Sequence, residues 1–138
     1  MVNVRWQGGM RFAATTEEGD SLVMDADPEG GGEGRGFRPI KLVLTALGGC
    51  GGMDIIWILK RQRQEVTNLE MNITGTRRKK DPRYYESVHV DYVVRGRKLK
   101  ESAVKRAIEL SEQKYCSVRG IFRPEVKVAR SIRIEEEP

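Results

Sequence analysis

Most of the chemical potential of this 138-residue sequence rests in Cys50 and Cys116, its only cysteines, which stand 66 positions apart. A thiolate is a nucleophile that can be oxidised to a sulfenic acid, and a second thiol converts that species to a disulfide. One cysteine that attacks and one that resolves is the redox chemistry such a pair permits. Cys50 sits in Gly48-Gly49-Cys50-Gly51-Gly52, inside an otherwise apolar, helix-forming run. Each glycine costs a helix about 1 kcal/mol relative to alanine. Four of them imply either close approach by a partner helix or an interruption that presents backbone N–H groups to the sulfur. Such donors favour the thiolate. The competing reading is a buried, inert cysteine at a tight crossing, because free cysteine is among the most buried residue types.

Asp54 follows Cys50 by one helical turn. A carboxylate at that distance raises a thiol pKa, so Asp54 is either an active-site neighbour with a hydrogen-bonding role or a helix-interface contact. Cys116 closes a second amphipathic segment where the register breaks, which leaves its thiol either mobile or packed. His89, the only histidine, lies near neither cysteine, and there is no Cys-x-x-Cys pair. No metal site is expected, zinc included, and no cofactor is called for. No Ser-His-Asp triad can be picked out by spacing.

The elements that must position these residues follow from periodicity. Val2, Val4 and Trp6 alternate with polar residues, and Met10 to Thr16 and Ser21 to Ala26 continue the pattern, which predicts a three-stranded meander over about 1–27. Residues 28–37 read as a flexible glycine-rich loop with no phosphate-binding signature. Pro39 opens a central helix over about 39–63, apolar almost all round in its second half, which a chain this short can bury most readily against a second copy. A hairpin over 66–95, a helix over about 98–115 and a final strand over 126–135 complete the order βββ-α-ββ-α-β. The class is α+β with mainly antiparallel sheets, in one domain of 138 residues.

Composition narrows the function classes. Apolar residues make up 38% and charged residues 33%, with mean hydropathy −0.53, a globular mix long enough to bury roughly 68% of its unfolded surface. No apolar stretch is expected to reach the roughly 18 to 20 uninterrupted residues of a membrane span, and no secretory signal is legible at the N-terminus, so the cytoplasm is the default. The net charge is +5. Its densest basic run, Arg77 to Lys80 with Arg83, falls beside Asp81-Pro82 and reads as a solvated hairpin tip, so no nucleic-acid partner is expected.

Three stretches together resemble the OsmC/Ohr family of osmotically induced and organic-hydroperoxide-resistance proteins: Pro39 with Leu42 to Leu47, Ala46-Leu47-Gly48-Gly49-Cys50 with Asp54, and Glu112 to Val118 around Lys-Tyr-Cys-Ser. The resemblance runs the length of the chain and is closest to the YhfA-like branch. It implies an OsmC-like intertwined homodimer with two central helices packed between sheets. It also implies a thiol peroxidase acting on organic hydroperoxides, with Cys50 peroxidatic, Cys116 resolving, and a dithiol as reductant. The family's thiolate is held by an arginine and a glutamate. Here the glutamate position is Ile40, and Arg11, Arg35 and Arg38 are the candidates to supply the cation. The alternative that this departure leaves open is a stress, ligand-binding or redox-sensing protein of the same fold, holding a small hydrophobic ligand without efficient peroxidase activity.

Overall fold

The computed structural model describes residues 1–138, which form two compact units, Met1–Val43 and Leu44–Pro138. The first holds β1 (Val2–Trp6), β2 (Phe12–Thr16) and β3 (Ser21–Met24), an antiparallel meander in chain order. Gly8 and Gly9 turn β1 into β2 at φ of 95° and 55°, a conformation that side chains resist. The glycine-rich stretch that follows is not the slack loop its composition suggests. The Asp25 carboxylate, 2% exposed, accepts the backbone N–H groups of Ala26, Glu33 and Arg35. Those bonds hold its pKa below the usual carboxylate value, the Arg35 amide contributing most. A Cβ at Gly32 would lie 2.1 Å from the Ala26 carbonyl oxygen, so glycine is there to let backbone meet backbone.

The second unit holds most of α1 (Pro39–Arg61), then β4 (Glu65–Arg77), β5 (Tyr85–Arg97), α2 (Glu101–Leu110) and β6 (Lys127–Glu136). The hairpin is longer than its alternation predicts, and the central helix two residues shorter. β5 is the middle strand of its sheet, antiparallel to β4 and parallel to β6, with Val88, Val90, Tyr92, Val93 and Val94 buried. The strand alternates: Val88, Val90, Tyr92 and Val94 share the buried face, while Ser87, His89, Asp91 and Arg95 on the other stay half-buried or exposed, the pattern of a sheet covered mainly on one side.

The buried positions of α1 are Leu44, Leu47, Gly48, Gly51, Gly52, Ile55, Ile58 and Leu59. Its glycines do not interrupt it. They bring the sheet in close: a Cβ at Gly48 would stand 2.8 Å from Ile73 Cδ1, and one at Gly52 2.8 Å from Met71 Cε. Burial is one-sided, however, and Met53 and Trp57 are 76% and 57% exposed. The helix is also long and apolar enough, by length and composition, to cross a membrane, with hydropathy 1.8 over its best window. The expectation that no stretch would qualify treated glycine pairs as breaks, although glycine is close to neutral on that scale.

The second helix is likewise not one α-helix over 98–115. α2 stops at Leu110, and Ser111–Tyr115 forms a π-turn that closes with the Cys116 N–H on the Ser111 carbonyl at 2.8 Å. The wider turn takes in an extra residue, so the register breaks before Cys116 and not at it.

Gly48→Val is expected to destabilise the fold by about 1–3 kcal/mol through overpacking against Ile73, read as a lower denaturation midpoint. An unchanged midpoint would mean that the helix and β4 are not in close contact.

Candidate active site

Ser111 fixes the geometry from below. Its side chain is 2% exposed, and its hydroxyl contacts the Asp54 carboxylate at 3.2 Å and the Gly51 carbonyl at 3.4 Å. Gly51 permits this, since a Cβ there would sit 3.4 Å from the Ser111 oxygen. The tie between α1 and the π-turn brings Cys116 to Cys50: the two sulfurs and an Asp54 carboxylate oxygen all lie within 4.8 Å of one another. Both cysteines are free thiols; Cys50 is half-buried, and Cys116 is 7% exposed. The mobile thiol that a register break suggested is a packed one.

The turn after Cys116 supplies the electrostatics. The Val118 backbone N–H is the strongest influence lowering the Cys50 pKa, followed by the Cys116 S–H, which donates to the Cys50 sulfur, and then the Ser117 N–H; burial and the Asp54 charge oppose them. The net direction is downward. Cys116 moves the opposite way, raised first by burial and further by donating to Cys50, although its own sulfur accepts the Arg119 N–H at 3.4 Å. The two thiols are therefore pushed in opposite directions, Cys50 toward the thiolate and Cys116 toward the protonated form. Of the two readings of the glycine cluster, the one that had it present amide donors to the sulfur does not hold: those donors come from a different segment, residues 117–119.

A narrow pocket of about 10 Å³, space for roughly one water, opens beside Cys116 between Leu47, Met71, Ile73, Val90 and Arg119. Its walls are chiefly aliphatic, and the thioether of Met71 is the most adaptable part of them. At its rim the Tyr92 hydroxyl donates to Glu112 at 3.2 Å, and burial pushes the phenol well above its ordinary range, so it stays protonated.

In the first unit, Arg11 and Arg35 each pair with Glu33, at 3.3 and 3.4 Å, and Arg38 pairs with Asp27 at 2.7 Å and donates to the Gly36 carbonyl. Each of the three is thus engaged by an acid of its own unit. Ser111, Val118 and Arg119 escaped sequence reasoning. Ser111 left a signal, a hydroxyl on the apolar stripe Val104, Ala107, Ile108; amide donors leave none.

Fold and site define an α+β protein that holds two free thiols and a carboxylate together where its central helix meets the end of a crossover helix. Residues 30–130 match the family model described as OsmC-like protein. Protein YhfA of Escherichia coli K12 is 34% identical over 131 residues, 95% of each chain. A solved structure described as a hypothetical protein from Aquifex aeolicus VF5 is 32% identical with a TM-score of 0.87, covering all of this chain and 97% of that one. The fold is also that of the organic hydroperoxide resistance protein OsmC from Legionella pneumophila, 17% identical, TM-score 0.71, covering 96% and 95%. This chain belongs to the OsmC family.

Measured under chelator, the rate of Cys50 alkylation should reach half its plateau below the roughly 8.5 of an ordinary thiol. Asp54→Asn removes an opposing negative charge and should move that midpoint lower still, while Val118→Pro deletes an amide donor and should move it up. A wild-type midpoint at or above the ordinary value would remove the activated nucleophile.

Proposed function

We propose that the protein is a cysteine-based thiol peroxidase that reduces organic hydroperoxides. The observation that carries this reading is the opposed polarisation of two thiols within 4.8 Å of each other. The Cys50 thiolate attacks the O–O bond; the peroxide leaves as alcohol after taking a proton, and Cys50 becomes a sulfenic acid. The Cys116 thiol then displaces the hydroxyl, which departs as water, and the disulfide forms. A dithiol, consistent with the reducing cytoplasm, restores both thiols. The thiolate is stabilised by amides in this scheme, so it does not require a glutamate at Ile40 or a guanidinium from Arg11, Arg35 or Arg38.

The aliphatic side chains beside the pair, Leu47, Met71, Ile73 and Val90, favour an apolar hydroperoxide, for which the narrow cavity they line must widen, and the Legionella protein and OhrB from Bacillus subtilis, which share the fold, are organic hydroperoxide resistance proteins. The exposed stripe Ala46, Gly49, Met53, Trp57 along α1, beside Cys50, supports a homodimer through that face. The small pocket, together with Ile40, favours a second reading: the same couple responding to oxidant as a sensor, with slow turnover.

Dithiol-dependent consumption of an alkyl hydroperoxide should vanish in Cys50→Ser, and Cys116→Ser should accumulate a sulfenic acid or a mixed disulfide detectable by mass. A wild type no faster than the double serine variant defeats the peroxidase reading. For the assembly, native mass spectrometry should give a dimer that Trp57→Glu converts to monomer; a monomeric wild type at micromolar concentration would refute it.

A further inference from the structure

The same reduced site has a second capacity that peroxide chemistry does not use. We propose that Cys50, Asp54 and Cys116, with both sulfurs reduced, bind one soft divalent cation, Zn²⁺ fitting best, in a three-ligand site with an open fourth position. Their ligand atoms lie within 4.8 Å of one another. Around a tetrahedral zinc, with bonds of about 2.3 Å to sulfur and 2.0–2.2 Å to oxygen, ligand atoms stand about 3.5–3.8 Å apart. Closing the set therefore asks for shifts of about 1 Å, within the range of side-chain rotation.

Three features prepare the site. Cys50 and Asp54 are four residues apart in a continuous helix, so they project from one face, one turn apart. The carboxylate is already oriented by the Ser111 hydroxyl, 3.2 Å away and itself near the Gly51 carbonyl, the kind of outer hydrogen bond that fixes metal ligands. The Ser117, Val118 and Arg119 amides point at the two sulfurs and offset the negative charge that two thiolates and a carboxylate concentrate. Two thiolates select zinc over the hard cations Mg²⁺ and Ca²⁺. The half-buried position of Cys50 leaves a side from which water can complete the coordination. Ligand spacing along the sequence does not bring this set together, because Cys116 follows Asp54 by 62 positions and lies just past the π-turn, outside α1.

Metal and disulfide exclude each other. An organic hydroperoxide that accepts two electrons from the thiolates, with two protons from solvent, leaves as alcohol and water, and the sulfurs that held the cation are then bonded to each other. The ion is released, so occupancy reports the redox state of the pair. The proposal uses the residues of the peroxidase reading but does not require turnover.

The test is zinc competition against a chromogenic chelator with the full chain reduced by phosphine, followed by Co²⁺ binding, whose thiolate charge-transfer absorption counts the sulfur ligands. One ion per chain is expected, with two thiolates in the cobalt spectrum and release on oxidation to the disulfide. Cys50→Ser and Cys116→Ser should each weaken binding at least about 100-fold and Asp54→Asn about 10-fold. The site is overturned if wild-type binding is no tighter than that of the double serine variant, if Asp54→Asn binds like wild type, or if the disulfide form retains the ion. Hydroperoxide consumption by chelator-treated protein, measured in parallel, separates the two ideas. Turnover without zinc binding ends this proposal alone, and zinc binding without turnover ends the peroxidase reading alone.

Discussion

Everything at the site depends on a short run of backbone N–H groups, those of Ser117, Val118 and Arg119, being aimed at sulfur. Amide donors differ from a guanidinium in two respects. They carry no net charge, so they favour a thiolate without a full cation being desolvated alongside it. They also cannot swing away, because the chain that bears them is part of the fold. The π-turn at Ser111–Tyr115 makes this possible, since an ordinary helical end would place the following amides at a different rotation about the axis.

The second constraint is the closeness of α1 to its sheet. Gly48 and Gly52 admit Ile73 and Met71, and Gly51 admits Ser111. With larger residues the helix would ride higher and the Asp54–Ser111 contact would open. The glycines that look wasteful in a helix thus position the thiols by absence, and their propensity cost of about 1 kcal/mol each is offset by packing.

Much of the architecture was legible in the chain. Alternation at Val88, Val90, Tyr92 and Val94 marked a strand, and the run from Leu42 to Leu59 marked a long apolar helix, although its burial on one side only was not legible there. Cys50 and Cys116 stood out as the candidates for redox chemistry, because two thiols with Asp54 nearby are few enough to weigh one by one. Their proximity was not legible: it depends on where the chain between β5 and β6 returns, and spacing alone does not encode that. Val118 acts through an atom common to nineteen residue types, so no pattern could flag it. The glycine-rich loop misled because composition reports backbone freedom, while a single carboxylate, Asp25, removes that freedom by collecting three amides.

The parallel pairing of β6 with β5 has a mechanical corollary. Parallel neighbours cannot be joined by a tight turn, and the chain between Arg97 and Lys127 must leave the sheet and come back to it. Cys116 rides on that return arch, whose two feet are clamped to the same central strand. Its sulfur is packed at 7% exposure within 4.8 Å of its counterpart, so the distance between the two is set by the path of the arch and, through the arch, by the sheet.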